Sequence, residues 1–198
     1  MKQSFWNTRR LTIFGLMSAL VFVSSWMQIP VGDVSRIHLG NGFCALTGLL
    51  FGPWLGGLAS GMGSMLFDFT NPLYIAESWI TFLTKFAIGF LAGWLAQRGQ
   101  GGTPARQRIW DVAGAASGTL AYVVLYLTKS FVIKYWIEGQ ALEAVQVQLA
   151  TKLVSSLINA AVGTIVAVLL AQALRPALRR AGLFGKTTGA GASKTQET

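Results

Sequence analysis

The sequence is poor in charge and has a single cysteine and a single histidine. Of its 198 residues, 12% are charged, whereas a soluble domain usually has ~25%. Cys44 stands alone in an apolar stretch, which excludes a disulfide framework and a cysteine metal site. His38 alone cannot form a histidine-rich metal site, and no HExxH or CxxC spacing occurs. These shortages argue against catalysis, so we expect neither an enzyme nor a cofactor.

Apolar and aromatic residues dominate instead. Hydrophobic residues make up 53% of the chain, with 7 Trp and 12 Phe, as in membrane proteins with aromatic belts. The length suits one domain of about five to seven spans. The net charge of +9 also occurs in proteins that bind nucleic acid. Here, however, the basic residues cluster in short flanks between apolar runs, which the positive-inside rule explains better.

Six hydrophobic segments predict an all-α membrane protein with six transmembrane helices. Gly52-Pro53 separates the short second and third segments, and proline disfavours a continuous helix there, so we expect a tight turn. Such short segments are expected to be irregular or buried behind their neighbours. The fifth and sixth are long enough to tilt or protrude. The predicted segments are 11–29, 39–52, 54–69, 78–97, 109–133 and 147–174.

Lysine and arginine predict the orientation. They gather before the first span, between the fourth and fifth, and after the sixth, whereas the loops on the other side hold only Arg36 and Lys134. Both termini are therefore expected to be cytoplasmic. We predict one six-helix domain over residues 1–181 and a disordered cytoplasmic tail over 182–198. The residues of the basic side are Lys2, Arg9, Arg10, Arg98, Arg106, Arg108, Arg175, Arg179, Arg180, Lys186 and Lys194.

The first apolar run has a second interpretation. Lys2, Arg9 and Arg10 precede it, which is also how a signal peptide begins. The run from Leu11 to Ile29 is long, however, and no clear small-x-small cleavage site ends it. We therefore expect a retained first span.

Four ionisable residues in the outer half of the predicted spans indicate a function. With the N-terminus inside, Asp68, Lys85, Lys129 and Lys152 all fall in the outer half of the bilayer. A charge in hydrocarbon costs at least ~2.5–3.5 kcal/mol, so such residues usually line a cavity or pair with each other. Four on one side predict a polar pocket open to the outside, in a protein that captures a solute.

Polar and aromatic side chains recur at helical spacing in spans four to six. Residues at i, i+3, i+4 and i+7 share one helix face. These faces combine aromatic area, hydrogen-bonding groups and cations, as small-molecule sites do. The outer loops are expected to close the pocket, although His38 is also interpretable as an ordinary loop residue. The candidate binding residues are Trp79, Lys85, Tyr122, Tyr126, Lys129, Lys152, Ser156 and Asn159 in the spans, Asp68 at the end of the third, and His38, Asn71 and Tyr74 in the loops.

These groups could instead satisfy one another. Asp68 could pair with Lys85, and Asn159 could bond the backbone of a neighbouring helix. This alternative explains the set poorly, because the outer half of the spans holds three lysines and one aspartate, and Glu77 near the surface still leaves positive charge over. We hypothesise that the excess cation meets an acceptor-rich or anionic part of a ligand.

Small residues recur at four-residue spacing, which lets membrane helices approach closely. The plainer interpretation is packing within the bundle. The sharper one is that Gly15 and Ala19 on span one dock another membrane subunit. The other series are Gly48, Gly52, Gly56, Ser60 and Ser64, then Gly57 and Gly61, Gly89 and Gly93, and Gly114 and Gly118.

Two patterns with catalytic associations are weak. Lys152 and Ser156 share a helix face, as a Ser–Lys dyad would, but no oxyanion-stabilising device is evident. Gly185-Lys186-Thr187 resembles part of a phosphate-binding loop. The first glycine of that motif is missing, because position 180 is Arg180, and no strand precedes it. We expect no ATP hydrolysis by the chain itself.

The order of these features resembles a known family. The run IHLGNGFCALTGLLFGPWLGGLASGMGSMLFDF, followed by ITFLTKFAIGFLAGWLA, resembles the substrate-capture (S) components of energy-coupling factor (ECF) transporters. It is most similar to the riboflavin-transporter-like branch, over about residues 10–175. The shared marks are Phe51-Gly52-Pro53, Asp68 ending a glycine-rich helix, Thr84-Lys85 followed by Gly89 and Gly93, and KLVSSLINAA over residues 152–161.

The resemblance implies a six-helix protein of a prokaryotic cell membrane that binds a vitamin or similar micronutrient near the outer surface. Helices four to six and the outer loops would form the site. It implies a transmembrane coupling subunit and two ATPases as partners. Helix one of the family often shows an Ala-xxx-Ala face to the coupling subunit, and the matching positions here are Gly15 and Ala19. Riboflavin, a pyridoxine- or pyrimidine-type vitamin, pantothenate and a cobalamin-like compound all stay open as ligands.

Two other functions are compatible with the sequence. One is a stand-alone secondary transporter driven by an ion gradient. Such proteins often show internal repeats and broken helices at the midplane, and the halves of this chain show no convincing repeat. The other is an intramembrane enzyme or an assembly scaffold. We favour the substrate-capture subunit, with no nucleic-acid partner.

Overall fold

The computed structural model describes residues 6–31, 35–72 and 74–183. Within them it confirms the all-α architecture of six helices and adds a short β-hairpin. The predicted tail over 182–198 lies almost wholly outside the described residues. In chain order the elements are α1 (Thr8–Ser25), β1 (Gln28–Val31), β2 (Ser35–His38), α2 (Gly40–Phe51), α3 (Pro53–Asp68), a 3₁₀ turn (Ile75–Glu77), α4 (Ser78–Ala96), a 3₁₀ turn (Gln97–Gly99), α5 (Pro104–Phe131), a π-helical turn (Val132–Ile137) and α6 (Leu142–Arg180).

Helix α2 lies at the centre of the bundle and contacts each of the other five helices. Ten of its twelve residues are buried. A helix of this length extends about 18 Å, which is too short for a hydrocarbon core of about 30 Å. It is tolerated because protein surrounds it. The segment is therefore buried behind its neighbours, as predicted, and it is a regular helix.

The predicted tight turn between α2 and α3 depends on glycine. Gly52 has a φ of 85°, a left-handed conformation that other residues adopt only at a cost. Its N–H donates to the carbonyl oxygen of Gly48 at 2.9 Å. Pro53 then occupies the start of α3, where its missing N–H leaves no helical hydrogen bond unmade.

Several of the small-residue series pack helices within the bundle. A Cβ on Gly89 would lie 2.6 Å from both the carbonyl oxygen of Gly56 and Oγ of Ser60, so only glycine permits this approach of α4 to α3. Gly15 differs, because no atom of the described residues, apart from its chain neighbours and the backbone of its own helix, lies within 4 Å of the place where its Cβ would be. Ala19, one turn further along α1, is also exposed.

Three segments of the described chain are long and apolar enough to cross a membrane alone: Ile75–Gly99, Pro104–Ile137 and Leu142–Arg180. Helix α2 is a shorter apolar helix, and α3 has 16 residues. Arg9 and Arg10 near the start of α1 lower its mean hydropathy. These three helices are expected to lie in the membrane as part of the bundle, where neighbouring helices cover their polar groups.

The sequence predicts a loop between α1 and α2, and this prediction is wrong. The connection contains a β-hairpin. Its strands pair antiparallel, with Gln28 opposite His38 and Val31 opposite Ser35. Strands of four residues are too short to show a clear alternation in sequence. The backbone N–H of His38 donates to Oδ1 of Asn159 at 2.8 Å, which fastens the hairpin to α6. We call this the hairpin end of the bundle, and the end where α1 begins and α6 stops the terminal end.

Candidate ligand-binding site

A cavity of about 590 Å³ lies at the hairpin end. Its volume falls within the range of small-molecule sites, roughly 300–1,000 Å³. Side chains from α1, α3, α4, α5, α6 and both strands surround it. Ten of the twelve predicted binding residues line it: His38, Asp68, Tyr74, Lys85, Tyr122, Tyr126, Lys129, Lys152, Ser156 and Asn159. The other lining residues are Ser25, Gln28, Ser64, Phe67, Glu77, Thr81, Thr84, Ser130, Ile133, Lys134 and Glu138.

Trp79 and Asn71 lie outside the lining, contrary to the expectation from the sequence. Trp79 is 61% exposed. It precedes Lys85 by six residues, which places it roughly 120° away around α4. The face that meets the cavity carries Thr81, Thr84 and Lys85. Asn71 is half-buried in the connection between α3 and α4.

Lys85 is the most deeply buried lysine of the cavity, with 6% of its surface exposed. Its ammonium group donates to Oδ1 of Asn41 on α2 and lies 4.2 Å from the centre of the Tyr122 ring. Among the described residues, no carboxylate oxygen lies within 4.0 Å of it. An amide oxygen and an aromatic face therefore compensate this buried cation, and they do so only in part.

Lys152 repeats the arrangement on α6. Its Nζ donates to Oγ of Ser130 at 3.1 Å and lies 5.4 Å from the centre of the Tyr126 ring. Again no carboxylate of the described chain lies within 4.0 Å. Tyr122 and Tyr126 stack on α5, with ring centres 5.7 Å apart and planes 10° apart. The two lysine–tyrosine pairs thus share one wall of the cavity.

The other two lysines of the cavity are ion-paired. Lys129 contacts Glu77, and Nζ of Lys134 lies 2.8 Å from Glu138 one helical turn later. The side chains of these lysines are 18% and 29% exposed, so both pairs are partly solvated. Surface pairs of this kind contribute little to stability, about 0–1 kcal/mol.

The alternative that the polar groups bond one another holds for Asn159 but not for the pairing of Asp68 with Lys85. Asp68 ends α3 and is 8% exposed. The Thr81 hydroxyl lies beside its carboxylate. No ion pair with Lys85 forms within 4.0 Å. Asn159 does bond a neighbouring backbone, that of His38 in the hairpin.

Sequence reasoning missed two buried polar groups. Asn41, the partner of Lys85, is 1% exposed. The sequence feature that could have identified it is a lone amide inside an apolar run. Asp111 is 0% exposed and pairs with Arg175 at the terminal end, 64 positions along the chain. Its signal was a carboxylate within the predicted fifth span.

A bundle of apolar helices with a solute-sized polar cavity at one end defines an integral membrane protein built to hold a small molecule. A family model described as ECF-type riboflavin transporter, S component, matches residues 5–176. The chain belongs to this family, which consists of substrate-binding transporter subunits and not of enzymes. The resemblance drawn from the sequence is therefore confirmed.

Two similar proteins extend this comparison. A protein of Pyrococcus woesei, described as "Uncharacterized protein in gap 3'region", is 28% identical over 116 residues, which cover 58% of this chain and 73% of the relative. A solved structure, "Structure and mechanism of the S component of a bacterial ECF transporter", has a TM-score of 0.58 and 18% identity, covering 87% of this chain and 98% of that one. At this identity the likeness shows the fold alone.

Proposed function

We propose that the protein captures a water-soluble vitamin or related micronutrient in the cavity at the hairpin end and delivers it across the membrane with a coupling subunit and two ATPases. Membership of the S component family supports the role of substrate-binding subunit. The observation that carries the proposal is the convergence of polar side chains from α3, α4, α5 and α6 on one solute-sized cavity. Ionisable groups in membrane helices usually mark a substrate pathway or site.

The cavity is proposed to face outward from the cell membrane. Basic residues gather at the terminal end, among them Arg9, Arg98, Arg106 and Arg179. The positive-inside rule places such an end in the cytoplasm. The hairpin end then faces the medium from which the nutrient comes.

The proposed roles follow from the placement of each side chain. Charged groups fix the polar part of the ligand, hydroxyl and amide groups add hydrogen bonds, and tyrosines form the apolar wall. Trp79 and Asn71 are left out, because they do not line the cavity. The proposed binding residues are Asp68, Lys85, Lys129 and Lys152, then Ser156 and Asn159, the wall residues Tyr122 and Tyr126, and His38 and Tyr74 at the hairpin end.

The decisive experiment identifies small molecules that co-purify with the protein, by mass spectrometry after denaturation. Ser156 lines the cavity and is 3% exposed, whereas its neighbour Leu157 is 44% exposed. Ser156→Trp is therefore expected to expel the compound, and the matched control Leu157→Trp to retain it as the wild type does. Equal retention by both variants, or no compound with the folded wild type, contradicts the proposal.

Uptake into vesicles tests the transporter class. Purified protein alone is expected to bind the compound without accumulating it, because an S component needs its ATPase partners. Robust accumulation driven by an ion gradient, without ATPases, would favour the stand-alone secondary transporter instead.

The exposed face of α1 at Gly15 and Ala19 is proposed to contact the coupling subunit. Small residues allow two membrane helices to approach closely, and this pair is not occupied by packing within the bundle. Gly15→Leu and Ala19→Leu are each expected to reduce recovery of a co-expressed coupling subunit by about fivefold, with ligand retention unchanged. Ala161→Leu, at an exposed position of α6, is the matched control. Undiminished recovery with both α1 variants would place the docking face elsewhere.

A further inference from the structure

We propose that the ligand carries an oxyanion, a carboxylate or a phosphate, which Lys85 and Lys152 bind together while its apolar part rests on Tyr122 and Tyr126. This inference rests on the proposed function and deepens it, because it separates anionic from neutral nutrients. The family description names riboflavin, which is uncharged.

The balance of charge around the cavity supports an anion. Four lysines and three carboxylates line it among the described residues. Two of the lysines are paired with Glu77 and Glu138. Lys85 and Lys152 are left with Asp68, which contacts neither within 4.0 Å. Even if Asp68 offsets one of them at longer range, the formal charges of the lining lysines and carboxylates sum to +1.

The partners of the two lysines are neutral, which leaves their charge available. Lys85 donates to an amide oxygen and Lys152 to a hydroxyl. An ammonium group has three donors, so each can form further hydrogen bonds toward the cavity. A charge-assisted bond to an oxyanion is roughly twice as strong as one between neutral groups. Burial strengthens this preference further, because the low dielectric magnifies the attraction.

The tyrosines hold the two cations on the same wall. Each ammonium group lies over one ring of the stacked pair, at 4.2 Å from Tyr122 and 5.4 Å from Tyr126. Such contacts hold a cation without neutralising it. A ligand with an apolar body and one anionic group would meet both parts of this surface at once.

The competing explanation is structural. Lys85 could serve only to join α4 to α2 through Asn41, with no role in binding. In that case Lys85→Met would lower the melting temperature and leave affinity unchanged. The proposal expects the opposite result, with affinity lost and the fold kept.

Matched pairs of compounds test the inference by calorimetry on the purified full chain. The pairs are flavin mononucleotide with riboflavin, nicotinate with nicotinamide, pantothenate with panthenol, and biotin with biotin amide. In each pair the first compound is anionic and the second neutral, with the rest nearly unchanged. We expect the anionic member of at least one pair to bind more than tenfold tighter. Neutral members that bind as tightly as their anionic partners overturn the inference, and so does a failure of every anionic member to bind.

Lysine variants complete the test. Lys85→Met and Lys152→Met are each expected to weaken the anionic member more than tenfold and to abolish its advantage over the neutral one. Arg106→Met removes an exposed charge far from the cavity and controls for non-specific attraction of anions. If Lys85→Met does not fold, the affinities of Lys85→Gln and Lys152→Met for the two members of a pair still test the inference. Unchanged affinity in both lysine variants contradicts the inference. The proposed function would survive that result. A neutral compound that co-purifies with the protein would support the proposed function and contradict the oxyanion inference.

Discussion

Lys85, which is buried, and Arg175, which is half-buried, are cations at opposite ends of one bundle, and the protein satisfies them differently. Arg175 forms a two-pronged contact with the fully buried Asp111 and donates to the carbonyl oxygen of Leu49 at 3.1 Å. Lys85 has an amide oxygen and a tyrosine ring. The first cation is neutralised inside the protein, so it serves the fold. Lys85 lines the cavity, and no carboxylate oxygen of the described residues lies within 4.0 Å of it, so we propose that it is available to a ligand.

The hollows at the two ends support the same distinction. The hollow at the terminal end is the larger, about 900 Å³, and Arg9, Arg10, Arg175 and Arg179 line it. No predicted binding residue lines it, and its arginines belong to the flanks that the positive-inside rule predicts. Volume alone therefore does not locate the site. We base the proposed site instead on the combination of incompletely compensated lysines, tyrosines and hydrogen-bonding groups at the hairpin end.

Breaking the ion pair at the terminal end should have the largest effect. Arg175→Met leaves the Asp111 carboxylate buried without a counter-ion, so the free energy of unfolding should fall by about 3–5 kcal/mol. Thermal unfolding in detergent measures this loss. The control is Arg179→Met, which removes an exposed charge one turn later. The double variant Arg175→Met/Asp111→Leu should recover most of the loss. Equal melting temperatures for Arg175→Met and wild type would show that the pair is not structural.

Lys85→Met should affect stability far less than Arg175→Met. Removing the cation ends its cost of burial, while Oδ1 of Asn41 loses its donor, which costs about 1–3 kcal/mol. The two terms oppose each other, so we expect a net change within about 2 kcal/mol in the ligand-free protein. Thermal unfolding without ligand is the measurement. A loss as large as that of Arg175→Met would mean that both cations serve the fold, and the contrast between the two ends would disappear.

Asn159→Ala should loosen the hairpin over the cavity. The substitution removes the 2.8 Å hydrogen bond from the His38 backbone N–H, which contributes about 1 kcal/mol. Amide exchange in β2 should quicken about fivefold, because about 1.4 kcal/mol corresponds to tenfold. Ile158→Ala, on the exposed side of α6, should leave this exchange unchanged. Equal exchange rates in the two variants would mean that other contacts hold the hairpin.

The cavity wall formed by α5 and α6 is predictable from the sequence. Tyr122 with Tyr126, and Ser156 with Asn159, recur at helical spacing in apolar spans. Polar groups in such spans favour facing protein or water over lipid, so spacing alone gives their direction. The ion pair of Asp111 with Arg175 is not predictable in this way. Its members lie 64 positions apart, so only the packing of α5 against α6 shows that they meet.

The orientation of the α4 side chains is less predictable from the sequence. Trp79 and Lys85 both lie on the predicted fourth span, and the sequence predicts that both face the ligand. An aromatic ring suits a cavity wall and a lipid-facing surface equally well. An aromatic residue therefore does not indicate which of the two its helix face meets. Phe82 packs against the backbone of α3, where a Cβ on Gly61 would lie 2.9 Å from its ring. Lys85 does line the cavity, because a cation within a membrane span favours protein or water over lipid.

Trp79→Ala should have the smallest effect on binding. The ring is 61% exposed and points away from the cavity, so affinity for the compound identified by mass spectrometry should change less than about twofold. Tyr122→Leu, which removes a ring that contacts Lys85, should weaken the same compound by about tenfold, since a desolvated cation–π contact and a cavity wall are both lost. Titration calorimetry on the two variants compares them directly. A larger loss with Trp79→Ala than with Tyr122→Leu would place the ligand on the outer face of α4, and the lysines of the cavity would then need another explanation.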